Sequence, residues 1–190
     1  MNYQTDPVKI GVTILIALGI LYVSATCLPE KASNDRIISV GDKLSDVAGD
    51  SIFLVDSANN MYDLSNFTGR VHLLSFYDGG CELCGKNQKM ITRIANEFKK
   101  DSFRTVFIGN ANTYAHGEVK KASQTKEIWF FDPTGVLGQK LGVEEYPLNL
   151  VVDEKGVVRQ VITDYDTDND NGYIVESRET IRQLLGIVKN

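Results

Sequence analysis

The feature that most constrains the fold is an apolar strand that passes through a short turn into a helix. Residues 71–77 form a compact apolar run, typical of a central strand that is covered on both faces. Asp78-Gly79-Gly80 interrupts this run, and from Cys84 to Lys100 the apolar residues recur at helical spacing. The combination predicts a layered domain in which helices cover a sheet.

Predicted strands and helices alternate along the rest of the chain. Strands are predicted at 52–55, 61–64, 103–109, 128–131, 148–152 and 157–162. Helices are predicted around 118–123, over 135–141 and over 173–188, whereas 29–50 and 164–172 are predicted to be polar loops. Hairpins lie at both ends of this alternation, so the sequence predicts an α/β fold with a central mixed sheet, helices on both faces and an N-terminal β-hairpin extension.

An uncharged apolar run precedes this domain. Residues 10–28 would span about 28 Å as a helix, which is enough to cross the hydrocarbon core of a bilayer. We therefore divide the chain into a tail (1–9), a transmembrane anchor or signal peptide (10–28), a linker (29–39) and a globular domain (40–190). Val23-Ser24-Ala25 has the spacing of a cleavage site, but the length of the run favours retention.

Both interpretations place the globular domain outside the cytoplasm. With a retained anchor, the chain is a single-pass protein of the cytoplasmic membrane, whereas cleavage would leave it periplasmic or secreted. Cys27 is interpreted as a small apolar residue of the segment and not as a lipid attachment site, because Ser24-Ala25-Thr26 fits a lipobox poorly.

Composition and charge exclude several classes of function. The 20 Lys+Arg against 25 Asp+Glu give a net charge of −5, which argues against a nucleic-acid partner. Three cysteines are too few for a disulfide-stapled scaffold, and two histidines leave little for a zinc site. The acidic segment 164–170 is followed by Asn171 and Ser177, where a calcium-binding EF-hand loop requires glycine and glutamate. No metal or cofactor is therefore predicted.

The chemistry of the chain centres on Cys81-Glu82-Leu83-Cys84, which lies where the apolar strand meets the helix. Unpaired N–H groups and the positive end of the dipole at a helix start stabilise a thiolate and lower the pKa of a cysteine. Cys81, at the exposed mouth, is the candidate nucleophile, and Cys84, one turn in, is the candidate resolving thiol. Half of a zinc site and an inert structural disulfide are the alternatives. A structural role for the disulfide is disfavoured, because closing a loop this short contributes little to stability.

Several motifs in order resemble the TlpA/ResA-like, membrane-anchored thioredoxin-fold proteins of the redoxin superfamily. They cover about residues 40–163 and are Val40-Gly41-Asp42, Leu64–Arg70, Cys81-x-x-Cys84, Phe130–Gly135, Leu141–Val143, Tyr146-Pro147 and Leu150–Gly156. The resemblance implies a thioredoxin-like fold and a thiol–disulfide oxidoreductase that reduces apocytochrome c or other exported proteins. It also implies a membrane dithiol as electron donor, and a cis Pro147 that, with Tyr146, faces the disulfide and binds substrate.

The departures from the family pattern fall at the positions that carry acid–base chemistry. Ser75 stands where thioredoxin has a buried aspartate, and Asn87 stands where many relatives have a glutamate. Gly80 replaces the aromatic residue before the first cysteine. Glu82 is then the nearest acid, and its charge would raise the pKa of Cys81. It is a candidate proton relay, with a solvated acid of the first helical turn as the alternative.

Two other functions compete with thiol–disulfide exchange. A peroxidase of the peroxiredoxin type would place proline and threonine at positions that are Leu74 and Asp78 here, which counts against it. A thioredoxin-fold binding or assembly factor with little catalysis is favoured by the missing buried acids and by the Gly79-Gly80 turn.

Overall fold

The computed structural model describes residues 37–49, 52–115, 128–163 and 170–187. The segment at 10–28, the predicted helix at 118–123 and residues 164–169 of the acidic loop lie outside the described residues, so these expectations stay predictions. Within the described ranges, no helix combines the length and the apolar character that a membrane crossing requires.

In the described part of the chain, the strands form one seven-stranded mixed sheet. Their order across the sheet is β2-β1-β5-β4-β3-β6-β7. β3, β4 and β5 run parallel, whereas the hairpins β1–β2 and β6–β7 are antiparallel. The bounds are Phe53–Val55 (β1), Met61–Asp63 (β2), Val71–Tyr77 (β3), Phe103–Gly109 (β4), Ile128–Phe131 (β5), Leu148–Val152 (β6) and Val158–Ile162 (β7). The mixed sheet and the N-terminal hairpin are as predicted.

Five helices and one 3₁₀ turn precede, connect or follow these strands in the described part of the chain. They are Leu44–Ala48 (α1), Glu82–Glu97 (α2), Ala111–Ala115 (α3), Val136–Leu141 (α4) and Asp170–Leu184 (α5), with a 3₁₀ turn at Leu64–Phe67. The prediction of a loop over all of 29–50 was wrong, because α1 lies within it. The bounds 173–188 were also wrong, because α5 begins at Asp170 and ends at Leu184.

These errors have a common physical cause. α1 and α3 have five residues each, which is too short for the 3.6-residue apolar period to be recognisable. α1 is defined instead by tertiary contacts, since Leu44 and Ala48 are buried and Lys43 forms a bridge to Val157. The polar residues that open α5 favour helix starts as much as loops, so they obscured its first turn.

β3 divides its side chains between two apolar cores, as alternation along a strand requires. Val71 and Leu73 pack with Ile91 of α2 on one face, and the core there also includes Ile181 of α5. On the other face, Leu74 and Phe76 belong to a core that contains Leu44 of α1 and Leu137 of α4. Helices therefore cover both faces, as predicted, and α2 lies on the face to which Ser75 of β3 also points.

His72 lies on the α1/α4 face and is only 4% exposed. Its ring meets Phe67 edge-on with centroids 5.6 Å apart. Burial lowers the pKa of His72 to about 4; the charges of Arg70 and Arg104 act in the same direction, and a hydrogen bond with the Arg70 backbone opposes them. His72 is therefore a neutral core residue near pH 7.

We expect His72 to make the free energy of unfolding depend on pH. Between about pH 6.5 and pH 4 the unfolded chain binds a proton at His72 that the folded chain does not bind. Stability should therefore fall as the pH drops through this window, by up to about 3 kcal/mol at pH 4. Denaturant titrations at a series of pH values measure the slope. His72→Val should remove this component, and equal slopes in both proteins would contradict the assignment.

Candidate active site

The two cysteines lie where β3 passes into α2, as the sequence predicted, and they form a disulfide. Cys81 caps the helix, and its Sγ accepts a hydrogen bond from the Cys84 N–H at 3.1 Å. Cys84 is fully buried, whereas Cys81 is only partly covered. The turn before them is held by Asp78, whose carbonyl accepts the Cys81 N–H and whose Oδ1 accepts the Gly80 N–H at 2.8 Å.

This arrangement supports different roles for the two sulfurs. Once the disulfide is reduced, Cys81 would keep the Cys84 N–H and the positive end of α2 beside its sulfur, which favours its thiolate. Cys84 lies one turn inside, where burial disfavours a thiolate. The attacking sulfur of a reduced site is therefore Cys81, and Cys84 is placed to close the disulfide from behind it.

The Tyr146–Pro147 peptide bond is cis, which confirms the expectation drawn from the family resemblance. The Tyr146 carbonyl oxygen lies 3.4 Å from Cys81 Sγ, so the loop before β6 faces the disulfide. Pro147 is buried and Tyr146 is half-buried. The loop reaches this place because β6 pairs antiparallel with β3, with Leu148 opposite Phe76.

A polar network that sequence reasoning missed joins this loop to the turn before Cys81. Asn110 Nδ2 donates to Asp78 Oδ2 at 2.6 Å, and Asn110 also hydrogen-bonds the Tyr146 side chain. Burial raises the pKa of Tyr146; the hydrogen bond with Asn110 opposes this, and the charges of Asp78 and Asp132 raise it further. Asn110 directly follows β4, and Gly109 of β4 pairs with Tyr77 of β3, so position after a parallel strand was the available signal.

Thr113 of α3 supports the same turn. Its hydroxyl oxygen accepts the Gly79 N–H at 2.9 Å and lies within hydrogen-bonding distance of Asn110 Oδ1 and the Tyr77 carbonyl. α3 can approach this closely because residue 109 is glycine: a Cβ there would lie 2.8 Å from the Phe131 ring and 2.9 Å from the Thr113 methyl group. Thr113 thereby links the end of β3 to Asn110, the residue that follows β4.

Exposed acidic residues lie in both segments that meet at Cys81. Glu82 is exposed in the first turn of α2, and Glu144 and Glu145, which precede Tyr146, are exposed as well. Segments 77–84 and 142–148 contain no lysine or arginine. The exposure of Glu82 means that water screens its charge, so its effect on the Cys81 pKa is expected to be modest. Its part in the reaction stays a prediction.

The interior beneath the disulfide is polar but uncharged. Ser75 and Asn87, the two departures noted in the sequence, lie together and are joined by Asn149, which the sequence analysis missed. Asn149 is found only through the sheet, because it pairs with Ser75 across β3 and β6. Among the described residues, no group of three or more His, Cys, Asp or Glu side chains is arranged to hold a metal ion.

A dithiol pair at a helix start that faces a cis-proline over a mixed sheet defines the thioredoxin-like class of redox proteins. Within that class, the chain belongs to the Redoxin family, whose model matches residues 39–175. With its Cys81-x-x-Cys84 pair it is a thiol–disulfide oxidoreductase, as the resemblance implied. No curated protein matches the sequence significantly.

Solved structures share the fold at low sequence identity. A protein assigned as thiol:disulfide interchange protein DsbE from Chlorobium tepidum superposes with a TM-score of 0.62 at 21% identity, covering 76% of this chain and 99% of its own. A protein assigned as a disulfide isomerase from Bacteroides thetaiotaomicron gives 0.60 at 17%, covering 79% and 92%. A secreted disulfide oxidoreductase from Mycobacterium tuberculosis gives 0.57 at 14%, covering 73% and 98%. These likenesses confirm the thioredoxin-like fold.

In the reduced protein, we expect iodoacetamide to modify Cys81 before Cys84. Cys84 is 0% exposed, and only Cys81 faces solvent at the helix start. Pulse alkylation followed by peptide mass spectrometry measures the order, and Cys81→Ser provides the control in which Cys84 is the only thiol left of the pair. Preferential labelling of Cys84 in the unsubstituted protein would reverse the assigned roles.

Glu82→Gln should lower the pKa of Cys81 by about 0.5–1 unit, because removal of a nearby negative charge favours the thiolate. The reduced form should be stabilised, so the protein should become more oxidising. Thiolate absorbance against pH and equilibration with glutathione measure the two effects. Glu154→Gln is the matched control, because Glu154 is exposed in the β6–β7 turn at the opposite end of β6. An unchanged titration would leave Glu82 as a helix-start acid only.

Proposed function

We propose that the protein is an extracytoplasmic dithiol reductant of exported proteins, with apocytochrome c among its substrates. The observation that carries this proposal is the partly exposed Cys81 sulfur beside the Tyr146 carbonyl. An extended substrate segment can pair with the backbone before Pro147, which would hold its own sulfur next to Cys81. Tyr146 and Pro147 are the proposed substrate-binding residues.

The proposed reaction moves two electrons from the protein to the substrate. The Cys81 thiolate attacks one sulfur of a substrate disulfide, and the other substrate sulfur leaves as a thiolate that takes up a proton. Cys84 then attacks Cys81, which forms the Cys81–Cys84 disulfide and releases the second substrate thiol. A membrane dithiol donor is proposed to reduce the protein again, because each turnover leaves it oxidised.

The proposed location rests on the sequence and on a relative. The uncharged run 10–28 is long enough to anchor the domain at the outer face of the cytoplasmic membrane, and cleavage after Ala25 is the alternative. The Mycobacterium tuberculosis structure is described as a secreted disulfide oxidoreductase. Reduction of exported proteins fits such a location, because disulfides persist in oxidising compartments outside the cytoplasm.

Two observations weigh on the competing functions. A peroxiredoxin-type peroxidase would have proline at position 74 and threonine at position 78. Here Leu74 is buried in the core, and the Asp78 carboxylate accepts hydrogen bonds from Asn110 and Gly80. Both residues therefore have structural roles. A binding or assembly factor with little catalysis is favoured by the uncharged interior beneath the disulfide, and measured turnover separates it from a reductase.

Cys84→Ser should trap substrates as mixed disulfides on Cys81 in intact cells, because the sulfur that releases them is absent. Non-reducing electrophoresis of membrane and soluble fractions, followed by mass spectrometry, identifies the captured proteins and the location together. Cys81→Ser/Cys84→Ser is the matched control. Captured cytoplasmic proteins, or a mature protein that begins at Thr26 and leaves the membrane, would overturn the proposed substrates or the proposed anchor respectively.

A further inference from the structure

Three neutral side chains, which we call the amide cluster, are buried together: Ser75 of β3, Asn87 of α2 and Asn149 of β6. Asn87 Nδ2 donates to Ser75 Oγ at 2.9 Å and to Asn149 Oδ1 at 3.1 Å, and Asn149 Nδ2 donates back to Asn87 Oδ1 at 3.2 Å. All three are no more than 1% exposed. The cluster ties the first half of α2 to both central strands.

The amide cluster lies beneath the resolving cysteine. Asn87 follows Cys84 by three residues in α2, so the two share a helix face, and both are fully buried. Along the strands, Ser75 is the next residue on its face inward from Tyr77, and Asn149 is the next inward from Pro147. The cluster therefore lies about one helical turn beyond Cys84 on the same face of α2.

The reaction requires Cys84 to lose a proton. In the mixed disulfide, a new bond forms between Cys84 and Cys81, the bond from Cys81 to the substrate sulfur breaks, and the electron pair leaves with that sulfur. The proton of Cys84 must end on the departing thiolate or in water. Burial raises the pKa of a thiol, and amide and hydroxyl groups do not accept a proton near neutral pH.

The titratable groups on the elements around Cys84 include the buried Asp132 after β5, whose carboxylate already accepts the Gly138 N–H at 3.0 Å and the Thr134 hydroxyl at 3.2 Å. On β3 and the Pro147 loop these are the phenols of Tyr77 and Tyr146, which are protonated near neutral pH. In the turn, Asp78 already accepts hydrogen bonds from Asn110 and Gly80.

On α2 itself, Glu82 and Lys86 are exposed. Where α5 packs against α2, Arg178 and Arg182 pair with Glu97 at the far end of α2. On the helix face that Cys84 and Asn87 share, the hydrogen-bonded side chains that the structure describes are the neutral ones of the amide cluster.

We propose that the amide cluster makes resolution by Cys84 slow and hydroxide-dependent, so that the mixed disulfide on Cys81 persists near neutral pH. Asn87 is the positioning residue in this scheme, since it holds Cys84's helix turn on the sheet without offering a proton acceptor. The inference rests on the proposed function to the extent that Cys81 attacks a substrate disulfide first.

The test follows the two steps separately in the full chain, reduced and solubilised in detergent. A peptide disulfide is mixed with the protein, aliquots are quenched in acid, and mass spectrometry counts the Cys81–peptide species and the Cys81–Cys84 disulfide. Across pH 6–8 the resolution rate of the unsubstituted protein should rise about tenfold per pH unit without a plateau, because it follows the thiolate fraction of Cys84. A plateau with a midpoint below pH 7 would reveal a base and overturn the proposal.

Asn87→Asp replaces one amide by a carboxylate at the same position. It should accelerate resolution at pH 7 by about tenfold or more and should flatten the pH profile, because general-base assistance contributes at least this much. Asn96→Asp is the matched control, since it adds the same charge at an exposed position of α2 and should leave the profile unchanged. A purely structural role for Asn87 would slow the reaction without changing its pH dependence.

The outcomes separate the two levels of the proposal. If neither the Cys81–peptide species nor the Cys81–Cys84 disulfide forms, the proposed function fails. If the Cys81–Cys84 disulfide forms rapidly and independently of pH, only the present inference fails. Should Asn87→Asp not fold, Asn149→Asp places the carboxylate on the other member of the amide pair. A folded aspartate variant that resolves no faster than the unsubstituted protein overturns the inference.

Discussion

The active site depends on the antiparallel pairing of β3 with β6. β3 delivers the chain to Cys81 at the start of α2, and β6 begins immediately after Pro147, so the pairing places the Tyr146 carbonyl 3.4 Å from the Cys81 sulfur. Parallel pairing of β3 with β4 adds Asn110 at the same edge. Each segment alone is a turn; the sheet makes them one site. A shift of one residue in either pairing would turn these side chains to the opposite face.

Charge is distributed unevenly around the disulfide, and the distribution bears on its chemistry. The start of α2 favours negative charge on Cys81, whereas the exposed carboxylate of Glu82 is expected to oppose it through water. Beneath the disulfide, the amide cluster is hydrogen-bonded and neutral. The two sulfurs therefore have different surroundings: Cys81 lies partly exposed at the start of α2, whereas Cys84 is buried and shares its helix face with the neutral amide cluster.

Sequence patterns predicted well the elements that have long local signals. β3 and β4 have apolar patterns of seven residues, and their bounds are those predicted; α2 was predicted as a helix, but it begins two residues before Cys84 and ends three residues before Lys100. The hairpins were predicted from turn residues between short apolar runs, and the sheet contains them. α1 and α3 were missed because one helical turn cannot display a period, and the start of α5 was misplaced because Asp170 and Asn171 suit both a loop and a helix start.

The sequence by itself determined the redox pair, its place at a strand–helix junction and, through the family resemblance, the cis Pro147. The first two properties lie within one short stretch of chain, where spacing and residue type suffice, whereas the cis Pro147 followed from the resemblance alone. Only the tertiary structure decided that Asn149 joins Ser75 and Asn87, and that Asn110 links Asp78 to Tyr146. Asn149 lies 62 residues from Asn87 along the chain. Strand pairing and register bring such residues together, and no local pattern encodes those contacts.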